Sequence, residues 1–527
     1  MIDIHYLKMK KDLIQDPFQI FTSLTSNGTK KNCLLLESGE PGENHSQQSI
    51  LIVQSALIIK LKQGNFEFQA LTENGKNILK AFDTGSFDVI TRTDTKIILK
   101  YQPFSEYITL SEKLNQPSIF SPLRSWLQQC VTHDEHSAKA LMLAGLLSFD
   151  LIDYFEEEVN MSQIGISKKQ AEDIYLMVPE TRIVINHVHQ NYTIEQLVVN
   201  QNENVASYNQ AKSDLKTCFE TINQTQKRID LSESSPETKH FSVKVDIEQK
   251  EFEVLVEKAK QKIIEGEIFQ VVPSRTFSCL CPNPLYAYQK LTQHNPSPYQ
   301  FYCVMDDAIL FGASPESAVK YNSKSGEVEI YPIAGTAPRG RNEKGIIDPD
   351  LDNRLEAHLR LDQKELSEHM MLVDLARNDI ARISKSGTRQ VKELLKVDKY
   401  SQVMHLVSRV SGELESNLDA FHAYQSCLNM GTLTGAPKIR ATQIIRELEQ
   451  HKRGFYGGAI GYFNKKGDLD SAIIIRSAFV KDGSAFVTAG AGIVADSIPA
   501  KEAHETSNKA AAVLRAIADV PVEDLYI

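Results

Sequence analysis

The sequence has no surplus of positive charge, no apolar run long enough to cross a bilayer, no pairing pattern among its cysteines and no low-complexity tract. Each absence removes a class of function. Its 527 residues carry a formal net charge of −10, so nucleic-acid binding, which needs a concentrated Lys/Arg surface to neutralise phosphates, is not expected. A small anionic substrate would have to be held locally by a metal ion, by Arg or by backbone amides. The longest apolar runs, such as Ser55–Ile59 and Ala472–Ile475, have the length of strands and not of membrane helices. The seven cysteines are odd in number and mostly far apart, and Cys279 and Cys281 lack CxxC spacing; reduced thiols are the simple reading, with no zinc or redox motif. The opening residues MIDIHYLKMKKDLIQDPF are charged throughout and hold no apolar core, so no secretory signal is expected. A soluble, cytoplasmic protein with no membrane partner follows.

What is present is an ordinary globular composition, 42% hydrophobic and 24% charged, in a chain long enough for two or three domain-sized units or one interleaved body. The polar stretch QTQKRIDLSESSPETKHF, 224–241, reads as an exposed linker. It divides an N-terminal region, 1–223, from a C-terminal region, 242–527. Before it, short β-like runs (Cys33–Leu36, Ile50–Ile59, Asp88–Leu99) mix with helical stretches such as Ser137–Phe149. After it, apolar spacing predicts a helix over Ile247–Glu265 and others near Leu355–Ile383, Pro437–Glu449 and Ala500–Ala518. Strands are expected at Phe269–Phe277, Ala308–Phe311, Val328–Ile333, Gly457–Tyr462, Ala472–Val480 and Ala485–Val494. They do not alternate one-for-one with helices, so the fold class is α+β and not a doubly wound parallel sheet.

Two helices carry the chemistry. KELSEHMMLVDLARND, Lys364 to Asp379, is apolar nearly all round from Met370 to Ala376, yet Glu365, Glu368 and His369 crowd its start. KEAHETSNKAAAVLRAIA repeats the arrangement, with Glu502 and Glu505 three apart and Lys509 one turn beyond. A solvated first turn explains any one such pair, since Glu favours the helix dipole. Two of them facing each other would suit a hard cation, which takes a couple of carboxylates plus substrate oxygens and water. Three glycine-rich turns, YPIAGTAPRG, GTLTGAPK and GAGIVADS, offer backbone amides. Each alone is more often a turn than a site, but together with the carboxylates they point to a small polyanion.

EGEIFQVVPSR (Glu265–Arg275), FGASPE (Phe311–Glu316), PIAGT (Pro332–Thr336), KELSEHMMLVDLARND, GTLTGAPK, GAGIVADS and HETSNK (His504–Lys509), in this order, resemble the chorismate-binding enzymes. The resemblance covers about Phe252 to Ile517, and LLLES (Leu34–Ser38) with NPSPYQFY (Asn295–Tyr302) extends it to most of the chain. It implies a large interleaved body of antiparallel sheets, with a β-sandwich-like core and helices outside. It also implies Mg²⁺ on Glu368 and Glu505, with Glu365 as the acid that protonates the leaving 4-hydroxyl. His405 would remove the C2 proton, where its apolar neighbours alone would suggest a core histidine. Glu316, Glu502 and Thr434 would support catalysis. Gly335, Thr336, Tyr456, Arg476, Gly490, Gly492 and Lys509 would bind substrate. Leu36, Glu37, Ser38, Pro298, Tyr299 and Gln300 would surround an inhibitory L-tryptophan, although Gln300 stands where Met is usual and Gly39 where Ala is common.

Two positions choose among the family's reactions. Isochorismate and salicylate synthases carry a water-activating Lys where this chain has Gln270, and Gln cannot act as a general base. Aminodeoxychorismate synthases commonly carry a nucleophilic Lys where this chain has Ala334. Both differences point to the anthranilate-forming, lyase branch. The closest rival is an aminodeoxychorismate synthase subunit; an enzyme stopping at the amino intermediate and a catalytically silent tryptophan-binding regulator are the others. No Cys lies in a G-x-C-x-G elbow, so a separate glutamine amidotransferase subunit, in a heterotetramer, is expected to supply ammonia.

Overall fold

In the computed structural model the described residues are 1–13, 15–38, 48–101, 114, 116–159, 172–199, 205–224, 242–342, 344–400 and 403–518. Residues 225–241 of the expected linker, and Gly39, lie outside them. Among the described residues a single hydrogen-bonded system joins 23 strands. Its pairings are antiparallel apart from Ile2–Asp3 beside Cys130–Val131. This is the α+β class with extensive antiparallel sheet that the sequence led us to expect.

Period-two alternation builds the layers. Leu34, Ile52, Ile58, Tyr175, Met177, Phe301 and Cys303 point into one interior shared with Ile460, Ala472 and Ile474. Their chain neighbours Leu35, Leu51, Tyr302 and Val304 point the other way. There they meet Phe21 of the helix Pro17–Leu24, Tyr288 of Pro284–His294 and Leu514 of Pro499–Ala518. Strands from both ends of the chain interleave: Phe301 pairs with Leu36, and Ile460 with Leu146.

Several expected elements differ; Asp88–Leu99, Phe269–Phe277 and Val328–Ile333 each fall on two strands. Ser137–Phe149 is not one helix. A short helix, Glu135–Ala140, gives way to the fully buried strand Met142–Leu147, a continuous apolar run that periodicity cannot tell from a buried helix. Leu355–Ile383 is two helices, Pro349–Leu361 and Gln363–Ala381, and Asp362 ends one and caps the next. Ala472–Val480 is two strands, Leu469–Ile473 and Ser477–Lys481, parted near Arg476, whose φ is +51°. The Met370–Ala376 stretch is only half buried: Leu372, Val373 and Ala376 face the core while Met370 is 43% exposed.

Candidate active site

Asp362 accepts the backbone N–H groups of Lys364 and Glu365 at 2.9 and 3.1 Å, and so fixes the first turn of the helix Gln363–Ala381. From that turn Glu365 and Glu368 project to one side, three residues apart. Burial raises the Glu365 carboxyl above its ordinary range, and the charge of Glu368 adds to the effect. Burial also raises Glu368, and Glu505 adds to it, against a hydrogen bond from Gln270. That bond runs from Gln270 Nε2 to Glu368 Oε1 at 2.8 Å. Gln270 lies on a two-residue strand paired with Gly435–Ala436, which brings the GTLTGAPK loop beside it. Thr434 is buried there, its hydroxyl donating to the Met430 carbonyl at 3.1 Å.

The C-terminal helix Pro499–Ala518 supplies the opposing pair. Burial works against ionisation of Glu505, but Lys509, Lys364 and Arg476 outweigh it and hold the carboxyl low. Lys509 Nζ is 2.6 Å from Glu505 and donates to the Gly490 carbonyl at 3.0 Å. Glu502 is buried, and burial raises its carboxyl, with the charge of Glu505 adding to it. Glycines let the backbone approach these acids closely. A Cβ on Gly492 would stand 2.7 Å from Gln270 Nε2 and 3.3 Å from Glu368 Oε1. One on Gly335, where φ is +88°, would stand 3.3 Å from Glu365 Oε2.

The other wall holds His405, Tyr456 and Arg476. Thr336 Oγ1 lies 2.9 Å from His405 Nδ1. Burial and then the charge of Arg476 push this imidazole down to about 4, so it is neutral at physiological pH. Tyr456 Oη is 3.0 Å from where a Gly490 Cβ would be. Arg476 is near enough to act electrostatically on His405, Glu505 and Tyr456. Among the described residues no hydrogen bond or ion pair holds its guanidinium. Glu316 is buried and keeps its proton to about 8 because of that burial, with Thr432 and Lys509 acting against it. The structure thus gathers Gln270, Gly335, Thr336, Glu365, Glu368, His405, Tyr456, Arg476, Gly490, Gly492, Glu505 and Lys509 into one cluster. Glu316 lies at its Lys509 side.

Among the described residues no three His, Cys, Asp or Glu side chains converge tightly enough to hold a metal ion alone. The donor set still fits Mg²⁺, which keeps several waters and takes one or two carboxylates plus substrate oxygens. Glu368 and Glu505 are hard oxygen donors, and the charge of Glu505 helps to raise the Glu368 carboxyl.

A second cluster lies on the strand Tyr299–Val304. Gln300 pairs with Glu37 and Phe301 with Leu36. Tyr288 donates a short hydrogen bond to Glu37, whose carboxyl burial raises to about 7. The Ser38 hydroxyl is buried with no partner among the described residues. Pro298 is buried, and Tyr299 reaches Asp470 at 3.4 Å. Sequence reasoning weighed Gln270 only for the Lys it replaces and missed its bond to Glu368. It also passed over Ser408, a strand residue with no motif to mark it.

The chain is similar to a family of known proteins. The family described as chorismate binding enzyme matches residues 87–515. Anthranilate synthase component 1 of Haemophilus influenzae is 46% identical over 518 residues, 96% of this chain and 95% of the relative. That of Escherichia coli is 44% identical, covering 95% of each. Among solved structures, anthranilate synthase component I from Streptococcus pneumoniae superposes with a TM-score of 0.65 at 30% identity, covering 90% of this chain and 93% of that one. The menaquinone-specific isochorismate synthase of Escherichia coli, 19% identical with a TM-score of 0.65 over 98% of this chain and 94% of its own, shares the fold.

Proposed function

Since the chain belongs to the chorismate-binding enzymes, among the anthranilate synthase large subunits, we propose that its cleft aminates chorismate with ammonia and expels pyruvate to leave anthranilate. The observation that carries this reading is the unspent Arg476 guanidinium, flanked by Tyr456, Glu505 and a neutral His405. A fork of donors in such a place suits a substrate carboxylate. Mg²⁺ bound by Glu368 and Glu505 would supply Lewis-acid stabilisation of the ring carboxylate. Gln270, bonded to Glu368, cannot deprotonate water, and Ala334 offers no nucleophile, so ammonia adds to the ring directly.

Glu365, its carboxyl raised by burial and by the charge of Glu368, gives its proton to the departing 4-hydroxyl. His405, neutral and held by Thr336, takes the C2 proton as the enolpyruvyl group leaves. A partner glutaminase of the component II type, in a heterotetramer, supplies ammonia from glutamine; alone, the chain uses free ammonium. The Leu36–Ser38 and Pro298–Gln300 pocket, whose Ser38 hydroxyl has no partner among the described residues, binds L-tryptophan as inhibitor. The protein acts in the cytoplasm.

The test is the purified chain with chorismate, Mg²⁺ and ammonium at mildly alkaline pH. Fluorescent anthranilate with stoichiometric pyruvate is expected. Aminodeoxychorismate, a released unaromatised amine or no turnover would each end the reading. Activity unchanged by millimolar L-tryptophan would remove the effector pocket alone.

A further inference from the structure

The strand Val403–Glu413 runs between Ile333–Pro338 and Gln390–Lys399, and both neighbours bulge at the same level. On one side Ile333 faces Val407 and Thr336 faces His405. On the other, Glu393 faces Arg409 and Lys396 faces Val407. Each neighbour therefore spends one extra residue there. A bulge leaves backbone groups without ladder partners, and a buried one left so costs as much as a lost hydrogen bond.

Side chains meet the need. His369 Nδ1 lies 3.2 Å from the Ala334 carbonyl oxygen, inside one bulge. Its Nε2 lies 2.7 Å from Ser408 Oγ. Ser408 Oγ in turn accepts the Leu395 N–H at 3.0 Å, inside the other bulge. A carbonyl only accepts, so the ring proton sits on Nδ1. Nε2 is then the acceptor, and the Ser408 hydroxyl donates to it. His369 and Ser408 are both 0% exposed, so neither bond has solvent to replace it. Leu395, at φ +56°, is a branched residue in the left-handed region, a conformation that persists only where its surroundings impose it.

The Ala334–Thr336 bulge is also where the two proposed proton carriers meet the backbone. Thr336 and a backbone hydrogen bond to Gly335 hold the His405 ring, and Gly335 lies against Glu365. His369 follows Glu368 in the same helix, so one residue ties the carboxylate helix, the bulge and the His405 strand together. We propose that His369, through Ser408, is a positioning residue of this site: it pins the Ala334–Thr336 bulge and so sets where the His405 imidazole stands. This rests on the role given to His405 above.

The test compares products formed by the full-length chain from chorismate, Mg²⁺ and ammonium, resolving anthranilate from the unaromatised amine. Asn at position 369 can place an amide N–H where Nδ1–H stands; Gln reaches towards Ser408 instead. His369→Gln and Ser408→Ala should raise the share of unaromatised product about tenfold, the rate equivalent of one buried hydrogen bond, while His369→Asn, which keeps the Ala334 bond and loses the Ser408 one, should raise it by less than either. A general folding defect lowers the amount of active enzyme without moving that share. Should His369→Gln not accumulate, Ser408→Ala carries the same comparison. An unchanged share in Ser408→Ala and in whatever His369→Gln can be purified, at any overall rate, overturns the proposal. So does an equal rise in His369→Asn, which would acquit the Ala334 bond. Parent enzyme that makes no anthranilate fails the functional reading first and takes this proposal with it.

Discussion

At the scale of single residues the cleft works by giving like groups unlike surroundings. Glu505 is held ionised by Lys509 while Glu365, a short distance away, is raised by burial; one suits a cation and the other suits giving up a proton. Glu316 shows the same effect in stability. Its folded carboxyl keeps a proton to about 8, while an unfolded Glu loses it near its ordinary value of about 4.3. Between those values the native state binds more protons, so its contribution is full in acid and is lost as pH rises towards 8. Glu316→Gln should abolish that loss: its Tm advantage over the parent should grow from pH 5 to pH 8.5, followed by thermal denaturation. Gly492→Ala tests the close approach of backbone to acid. The new Cβ would collide with Gln270 and press on Glu368, so activity and Mg²⁺ affinity should each fall roughly 10–100-fold, as when a group orienting a metal ligand is disturbed. Tm should hold, and a Mg²⁺ titration of activity with calorimetry reads both.

At the scale of elements, the positions of the acids depend on caps and breaks more than on helix propensity. Asp362 is the clearest case, closing Pro349–Leu361 and opening Gln363–Ala381 within a single residue. Asp362→Ala should cost about 1 kcal/mol in urea unfolding, and kcat should fall further than that loss explains because Glu365 sits in the uncapped turn. The apolar stripe after Glu368 was legible as a helix, and the Gly-Ala-Pro-Lys run as a helix start: Pro437 is the N-cap of Lys438–Glu449. The break at Asp362 was not legible, because an N-cap aspartate inside a long amphipathic pattern has the same signature as a surface residue. Nor was the parting of Leu469–Ile473 from Ser477–Lys481, since a positive φ at Arg476 leaves no mark in the sequence.

At the scale of the whole molecule, the first 223 residues supply strands that the later ones need. Cys33–Glu37 lies beside Tyr299–Val304, and Met142–Leu147 beside Ala459–Asn464. A fragment of residues 242–527 would expose both edges and the interior around Phe301 and Ile474. It should be insoluble or lack cooperative unfolding by circular dichroism, and a soluble, sharply melting fragment would count against that. The same interleaving joins the proposed effector pocket to the cleft. Gln300 pairs with Ala313, and the Ala313 N–H donates to the Arg476 carbonyl at 3.1 Å. Two strand-to-strand steps thus separate them, roughly 10 Å at ordinary strand spacing. Gly312 packs against both sides, its absent Cβ falling 2.7 Å from Phe301 and 3.0 Å from the Arg476 carbonyl. Gly312→Ala should raise the KM for chorismate and shift the L-tryptophan concentration for half inhibition together, in steady-state assays; movement of only one would separate the pockets.

The sequence by itself determined the class of fold and the two acid-bearing helices, because helix periodicity is a local pattern; His405, Tyr456 and Arg476 were named only by the family resemblance. The tertiary structure alone decided which of those carboxyls is raised and which is lowered, since burial and neighbouring charge come from chain segments far apart. It also decided that His369, which the sequence shows only as a neighbour of Glu368, faces a paired bulge in two other strands. Strand register is set by packing across the whole sheet, and no stretch of sequence holds it alone.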